Sequence, residues 1–336
     1  MSADPPGVRL AGVGDEAGSA LATQLDALDR LGWNGIELRT VDGAALADLD
    51  DARFARVAGT LRERRVRVVG VASRIGGWSR SIAGDVTEDL RELDVLAQRC
   101  RTLGTRYIRI MSYPNAGLDE RDWQDRAVAR IRLLARRAQD AGVVLLHENC
   151  VGWAGASAGA MLRLLERVDS PALGLLFDTG NGAAHGYDAY DLLARVVEHV
   201  VHVHVKDAVH TPDGPRYVPP GAGSARVAEC LRLLLARGYT GVWSLEPHVS
   251  LRPHATDAGG RGEPDADAYV ACGRALERLV REEVLPSCPD WRAVAGSLFL
   301  NKSLIKAAQP GPAGAPATVP PDGRDTGAAA ATAVSR

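Results

Sequence analysis

The chain has 336 residues, of which 46% are hydrophobic and 24% charged, and its formal net charge is -2. This composition is ordinary for a globular protein with a large core, and it argues against nucleic-acid binding through a basic surface. No apolar run reaches the roughly 18 residues that a membrane span needs, and the N-terminal sequence lacks a signal-peptide pattern. The five scattered cysteines form no CxxC pair, so a cytoplasmic protein without a disulfide framework is expected.

Short apolar runs alternate with longer helical patterns eight times along the chain, which is typical of parallel βα units. The predicted strands are Arg9–Val13, Gly35–Thr40, Val66–Ala72, Tyr107–Met111, Val143–Glu148, Leu173–Phe177, Val200–Lys206 and Gly241–Glu246. The clearest predicted helices are Ser19–Leu31, Glu88–Leu103, Trp123–Ala141 and Ala266–Val284. Eight such units in about 250 residues predict an α/β fold of one domain, a closed (β/α)8 TIM barrel over residues 8–285.

An open, doubly wound sheet is the alternative fold. Its dinucleotide-binding fingerprint would follow the first strand, where the chain reads Gly12-Val13-Gly14-Asp15-Glu16. The third glycine of the fingerprint is missing, and acidic residues stand where a phosphate would bind. The sequence therefore favours the barrel.

Two segments follow the last helix of the barrel. Residues 286–308 contain Trp291, Leu298, Phe299 and Leu300, which predict a helical extension that packs on the barrel or on a partner chain. A homo-oligomer is therefore left open. Residues 309–336 are mostly Ala, Pro, Gly and Thr, a composition that buries too little apolar surface to fold and predicts a disordered tail.

The active site of a (β/α)8 barrel lies at the C-terminal ends of its strands. Four consecutive predicted strands end in a side chain that can bind a metal, namely Glu148, Asp178, His204 and Glu246. Three carboxylates and one imidazole suit one divalent ion, Mn²⁺ first and Mg²⁺ or Co²⁺ as alternatives, better than a structural zinc. A single carboxylate such as Asp178 or Asp207 could instead cap a helix or a loop, but four on adjacent strands favour a metal site.

Other polar and aromatic residues near the strand ends are candidates for substrate binding. Side chains alternate along a strand, so His202, His204 and Lys206 share one face of the seventh strand. Lys206 could hold a substrate oxygen or form an ion pair with Asp207 or Glu37. The further candidates are Arg39, Arg74, Trp78, Trp153, Arg216 and His248, each with a solvated or packing role as the alternative. Glu37 fits a buried structural carboxylate as well as a functional one.

The run from Leu10 to Val284 resembles the xylose-isomerase-like TIM barrel superfamily of sugar phosphate isomerases and epimerases, near the ketose 3-epimerases and hydroxypyruvate isomerases. The stretches that carry the resemblance are Leu31–Leu38, Glu148-Asn149, Phe177–Asn181, His202–Asp207 and Gly238–Glu246. In this order they are specific for the superfamily, though not for one substrate. The Glu, Asp, His and Glu of the family's metal site fall on Glu148, Asp178, His204 and Glu246.

The resemblance implies a metal-dependent isomerase or epimerase of a small sugar or cyclitol, with an enediolate intermediate and Glu148 and Glu246 as the acid/base pair. A lyase is the alternative, either an inosose-dehydratase-like enzyme or one that cleaves a carbon–carbon glycoside. A non-catalytic sugar binder is more remote. The ketose 3-epimerases carry a histidine where Asn181 stands, so Asn181 is a further candidate for substrate binding, and which hydroxyl it holds stays open.

The superfamily also includes DNA-repair endonucleases that use three metals. They need further histidines, and the chain has Ser73 and Arg74, Ser112 and Tyr113, and Asn181 at the corresponding places. Together with the slightly acidic charge balance, these residues argue against a nuclease.

Overall fold

The computed structural model describes residues 7–252, 262–294 and 296–300. The eight parallel strands are β1 (Gly7–Val13), β2 (Gly35–Leu38), β3 (Arg67–Ala72), β4 (Tyr107–Ser112), β5 (Val144–Gly152), β6 (Leu173–Asp178), β7 (Val200–Val205) and β8 (Val242–Leu245). The helices that follow them are α1 (Leu21–Leu31), α2 (Asp51–Glu63), α3 (Thr87–Leu103), α4 (Glu120–Ala141), α5 (Ala158–Val168), α6 (Ala189–Val196), α7 (Val227–Ala236) and α8 (Ala266–Leu279). A short helix, Gly182–His185, precedes α6, and a π-helical turn, Val280–Val284, continues α8.

The sheet is closed. Each strand pairs in parallel with the next, and β8 returns to β1 in a register that runs from Arg9↔Val242 to Gly12↔Leu245. This closure confirms the predicted (β/α)8 barrel and excludes the open doubly wound sheet. The eight predicted strands all lie within two residues of the observed bounds at their N-terminal ends.

The helices pack around the closed sheet with one apolar face each, and α4 shows how the sequence produces such a face. Its buried residues recur at steps of three and four, the spacing of one helix face, and they are Ala127, Val128, Ile131, Leu134, Ala135 and Ala138. The side chain of Asp119 accepts a hydrogen bond from the Asp122 N–H at the start of the helix. Gly142 ends it with a φ of 73°, a left-handed conformation that glycine adopts without a Cβ clash.

Strand β7 shows how one strand serves both the core and the barrel interior. Val203 and Val205 belong to the hydrophobic core, whereas the alternate residues His202 and His204 bind the carboxylate of Glu37 on β2. This alternation follows from the period of two in a strand. It places His202 and His204 in the barrel interior, where they contact the carboxylate of Glu37 from β2.

The prediction of a helical extension over 286–308 is wrong for the part that the structure describes. Leu285–Ser287 is a short 3-10 turn, after which Trp291–Val294 and Ser297–Leu300 form an antiparallel hairpin. The second hairpin strand pairs with residues 7–9 of β1, whose lower edge is free because β2 pairs only with Gly12 and Val13. Pairing with this free edge satisfies backbone groups that a helix would leave exposed. Residues 301–308 and the predicted disordered tail, 309–336, lie outside the described residues.

A second hairpin follows β7, with Asp207–Thr211 paired to Gly214–Val218. Asp207 fixes the loop after it, since its carboxylate accepts hydrogen bonds from the backbone N–H groups of Gly221, Gly223 and Ala225. Asp207 therefore has the structural role that the sequence left as its alternative. Among the helices of the described residues, none has the length and hydropathy of a membrane span.

Candidate metal centre

Glu148, Asp178, His204 and Glu246 meet at the C-terminal ends of β5 to β8. Each offers one ligand atom, and these four atoms all lie within 4.8 Å of one another. Asp178 and His204 are inaccessible to solvent, and Glu148 and Glu246 are only 3% and 5% exposed. The structure thus brings together all four residues that the sequence singled out as metal ligands.

Two buried atoms of this cluster lack the hydrogen bonds that buried polar atoms normally make. Asp178 accepts hydrogen bonds from the Gly180 and Asn181 N–H groups through Oδ1, whereas its Oδ2 makes no hydrogen bond of good geometry within the described residues and has the Lys206 ammonium as an ion-pair partner at 2.9 Å. Nδ1 of His204 is likewise without a hydrogen bond there, although it lies 3.2 Å from Glu246 Oε2 and 3.6 Å from Glu148 Oε1. Because the unsatisfied atoms belong to a set of three carboxylates and one imidazole, the cluster fits a divalent cation.

Glu37 orients His204. Nε2 of His204 lies 3.0 Å from both carboxylate oxygens of Glu37, and Nε2 of His202 lies 2.8 Å from one of them. Burial would raise the pKa of Glu37, but His204 and His202 hold it well below its usual value. An anionic Glu37 places the proton of His204 on Nε2 and leaves Nδ1 free to bind a metal, which is how a carboxylate commonly supports a metal-binding histidine.

Lys206 lies beside the four residues. Its ammonium is 2.8 Å from Glu246 Oε2, 2.9 Å from Asp178 Oδ2 and 3.2 Å from Asn181 Oδ1. Burial lowers the pKa of Lys206, but Asp178 and Glu246 outweigh it and raise this pKa well above its usual value. The lysine therefore stays protonated, and it pairs with Asp178 and Glu246, two of the candidate ligands, instead of the predicted structural partners, Asp207 or Glu37.

Arg39 fixes the carboxylate of Glu246. Its Nη1 donates a hydrogen bond of 2.8 Å to Glu246 Oε1, and the rest of the guanidinium contacts Asp15 and Glu16. Burial alone would raise the pKa of Glu246, but Lys206, His204 and His248 lower it well below its usual value. Arg39 is only 8% exposed, and it is not among the residues that line the cavity. The structure therefore places this predicted substrate-binding residue where it fixes Glu246, one of the candidate metal ligands.

Arg109 and Asn181 contact the two carboxylate oxygens of Glu148. Asn181 Nδ2 donates a hydrogen bond of 3.0 Å to Glu148 Oε1, and Arg109 Nε lies 3.5 Å from Oε2. Burial raises the pKa of Glu148, but Arg109 and His204 bring it down to about 2. Sequence reasoning missed Arg109. The available signal was a basic residue inside an apolar predicted strand, since Arg109 lies within Tyr107–Met111 as Lys206 lies at the end of Val200–Lys206.

A cavity of about 920 Å³ adjoins the four candidate ligands, and Glu148 and Glu246 are part of its lining. Five of the residues predicted as candidates for substrate binding line it, namely Trp78, Asn181, Lys206, Arg216 and His248. His248 also contacts Glu16 through Nδ1 at 2.6 Å and packs edge-on against Tyr217 with ring centroids 5.2 Å apart.

The two tryptophans that the sequence left open lie in different surroundings. Trp78 lines the cavity and is 42% exposed. Trp153 is 5% exposed and donates its indole N–H to Glu120 Oε1 at 2.8 Å. Trp153 is absent from the described lining of the cavity, so the structure gives it the packing role that the sequence kept as its alternative.

The closed barrel and this cluster define the chain as a (β/α)8 barrel with a carboxylate-rich, potentially metal-binding centre at its C-terminal mouth. A sequence profile of the xylose isomerase-like TIM barrel family matches residues 25–266. The chain belongs to this family.

Individual relatives are distant. An inosose dehydratase of Geobacillus kaustophilus is 31% identical over 93 residues, which cover 28% of this chain and 30% of that protein. The match therefore spans about a third of the length of this curated relative.

Two solved structures share the fold over most of the chain. A D-allulose 3-epimerase from Methylomonas sp. in complex with D-allulose has a TM-score of 0.63 at 17% identity, over 83% of this chain and 98% of that one. A xylose isomerase-like TIM barrel protein from Mycobacterium smegmatis in complex with magnesium has a TM-score of 0.59 at 18% identity, over 83% and 96% of the two chains.

Proposed function

We propose that this protein is a divalent-metal-dependent isomerase or epimerase of a small polyhydroxylated carbonyl compound, a sugar or a cyclitol. One observation carries the proposal. Glu148, Asp178, His204 and Glu246 place four ligand atoms within 4.8 Å of one another at the floor of a cavity of about 920 Å³. Mn²⁺ is the ion we expect, with Mg²⁺ or Co²⁺ as alternatives, since the donor set is mainly carboxylate oxygen.

A bound divalent ion would polarise adjacent carbonyl and hydroxyl oxygens of the substrate and make the C–H bond between them more acidic. Glu148 and Glu246 come from β5 and β8, with the ligands from β6 and β7 between them. One glutamate removes the proton from carbon, and an enediolate of the substrate results. If the other glutamate delivers a proton to the opposite face, the product is an epimer; if a proton returns to the neighbouring carbon, the product is an isomer.

Lys206 and Asn181 assist at the same centre. The ammonium of Lys206 is protonated and borders the cavity, so it stabilises the negative charge that develops on a substrate oxygen. Asn181 forms hydrogen bonds with both Lys206 and Glu148, and it fixes the positions of these two side chains relative to each other. We further propose that Arg216 and His248, on the wall of the cavity, bind other substrate oxygens.

A dehydratase is the second candidate, and Lys206 is the observation that favours it. Its ammonium lies within 3 Å of Glu246 and Asp178, where it can donate a proton to a departing β-hydroxyl of the enediolate. The inosose dehydratase relative supports this reading, although the match covers only 30% of that protein.

The experiment is a panel of ketoses, aldoses and inososes incubated with the Mn²⁺-loaded protein in D₂O and followed by NMR. Deuterium in recovered substrate together with a new diastereomer or aldose–ketose pair supports the isomerase. A product that absorbs in the ultraviolet and has lost a hydroxyl supports the dehydratase. Activity that survives exhaustive chelation, or Mn²⁺ binding that is unchanged in Asp178→Asn and His204→Ala, contradicts the metal-dependent proposal.

We also propose a cytoplasmic location. All five cysteines lie in the described part of the chain, and each is a buried free thiol, which suits a reducing compartment.

A further inference from the structure

Two arginines near the centre are equally buried but differently surrounded. Arg39, 8% exposed, has Asp15, Glu16 and Glu246 within 2.8–3.4 Å. Arg109, on β4, is 6% exposed, and the carboxylate nearest to it is that of Glu148, 3.5 Å from Nε. Nε of Arg109 is buried without a hydrogen bond among the described residues.

A buried guanidinium is costly when it is poorly paired. Removing such an ion from water costs several kcal/mol, which close carboxylates and hydrogen bonds normally offset. Arg39 has three carboxylates for this purpose. Arg109 shares one carboxylate at a longer distance, and that carboxylate belongs to the metal centre.

Arg109 borders the cavity, on the same wall as Trp78, Met111 and Glu148. A molecule bound in the cavity can therefore contact this guanidinium. The planar fork of an arginine donates two parallel N–H bonds, a geometry that matches a carboxylate.

We propose that Arg109 binds a carboxylate group of the substrate, so that the compound turned over at the metal centre is a sugar acid or a related polyhydroxylated keto acid. This inference rests on the proposed function and deepens it. It assigns Arg109 a specificity role at the wall of the cavity, separate from the proton transfers at Glu148 and Glu246.

The surroundings favour a carboxylate over a phosphate. Arg109 is one cation beside three carboxylates, those of Glu148, Asp178 and Glu246, and the neighbouring ammonium of Lys206 already contacts two of them. A single guanidinium balances the one negative charge of a carboxylate, whereas a phosphate dianion needs a second cation. Phosphate sites also commonly use several backbone N–H groups at a helix N-terminus, whereas Arg109 lies within strand β4 and the cavity-lining residues nearest to it in the sequence and on β5 are Met111, Glu148 and Cys150.

The test compares matched ligands that differ only at a terminal carbon. Calorimetry with Mn²⁺-loaded protein measures the Kd for D-fructose and D-fructuronate, D-glucose and D-glucuronate, and D-galactose and D-galacturonate, with fructose 6-phosphate as the phosphate probe. A charge-assisted hydrogen bond contributes roughly 1.5–3 kcal/mol, so we expect at least one acid to bind about 10–100 times more tightly than its neutral partner. In Arg109→Gln this ratio should fall to near one, and in Arg109→Lys it should be partly kept.

Arg216→Gln is the matched control, because Arg216 also lines the cavity but lies on the exposed hairpin after β7. Loss of the preference in Arg216→Gln with retention in Arg109→Gln would overturn the assignment. Equal binding of all acid and neutral partners by the wild type, or a stronger preference for fructose 6-phosphate, would also overturn it. Melting curves of each variant identify a loss of fold.

The same samples separate this inference from the proposed function. Electron paramagnetic resonance measures Mn²⁺ binding independently of any sugar. If Mn²⁺ binds and the acids show no preference, the metal centre stands and the carboxylate inference fails. If Mn²⁺ does not bind, the metal-dependent function fails, and the ligand ratios measured on the metal-free protein still decide the role of Arg109.

Discussion

The two halves of the barrel supply different parts of the same centre. The ligand half, β5 to β8, provides the four residues whose ligand atoms converge, Glu148, Asp178, His204 and Glu246. The positioning half, β1 to β4 with the turns that follow them, provides the charged groups that hold them, which are Asp15, Glu16, Glu37, Arg39 and Arg109.

This difference teaches how a barrel can bury so many charges. Three of the four ligand residues are matched by a charged group from the other half, since Glu37 lies against His204, Arg39 against Glu246 and Arg109 against Glu148. Asp178 is matched within its own half by Lys206. The ligands are thereby fixed without closing the cavity. Loss of a ligand should remove function directly, whereas loss of a positioning residue should act through stability or metal affinity.

The largest effect is expected from the glutamates of the ligand half. Glu246→Gln and Glu148→Gln remove a proposed acid or base, and such a group typically contributes about 10²–10⁴-fold to a rate. We therefore expect turnover of the best panel compound to fall by about this factor, measured by single-turnover NMR in D₂O on metal-saturated protein. At least one variant should still exchange the substrate proton with solvent from its own side.

Glu166→Gln is the control for these glutamates, since Glu166 is exposed on α5, outside the barrel. It should keep wild-type turnover. Near-normal turnover in Glu246→Gln would contradict the two-base mechanism and leave a single base or a lyase route.

A large effect on stability is expected in the positioning half. Arg39→Met leaves the buried carboxylates of Asp15 and Glu16 without their guanidinium, and breaking a buried pair in this way costs about 3–5 kcal/mol. Urea unfolding should show this as a lower midpoint. Arg64→Met, at an exposed arginine paired with Asp26 and Asp29, should leave the midpoint nearly unchanged. Equal midpoints for the two variants would show that Arg39 is not needed to hold these carboxylates.

A smaller effect is expected from Glu37, which reaches the metal centre only through His204. Glu37→Gln keeps the size of the side chain but removes the charge that fixes the proton on Nε2 of His204. Such supporting carboxylates are typically worth about 10–100-fold in metal affinity. Mn²⁺ titration followed by electron paramagnetic resonance should show a weaker Kd in this range. Unchanged Mn²⁺ affinity would make Glu37 a purely structural carboxylate.

The sequence predicts the ligand half well because its signals are local. Glu148, Asp178, His204 and Glu246 each stand where an apolar run ends, and the C-terminal ends of parallel strands meet at one mouth. The positioning half depends on which strands face each other across the barrel, and sequence does not give that information. Arg39 was therefore expected at the substrate, and Arg109 was missed.

The C-terminal hairpin shows a second limit of sequence reasoning. The apolar residues Trp291 and Leu298 signal that the segment packs on the barrel, and both are buried. Whether it packs as a helix or as a strand depends on the free edge of β1, which pairs with Ser297, Leu298 and Phe299. That edge exists only once the register of β1 and β2 is known, and a short apolar run does not distinguish helix from strand by itself.

The smallest expected effect concerns the two tryptophans that follow β3 and β5. Here the positioning half supplies the residue at the cavity, and the ligand half supplies the residue with a packing role. Trp78, from the positioning half, borders the cavity, whereas Trp153, from the ligand half, is buried against Glu120 and away from the described cavity wall. Trp78→Ala removes a stacking surface worth about 0.5–1.5 kcal/mol, so KM for the best panel compound should rise roughly 2–10-fold with little change in kcat.

Trp153→Phe keeps the buried ring and loses one hydrogen bond, so it should lower stability by about 1 kcal/mol and leave KM unchanged. Steady-state kinetics and thermal melts on both variants separate the two effects. A raised KM in Trp153→Phe with normal kinetics in Trp78→Ala would mean that the substrate lies against β5 instead, and the cavity wall formed by Trp78 and Arg109 would lose its assigned role.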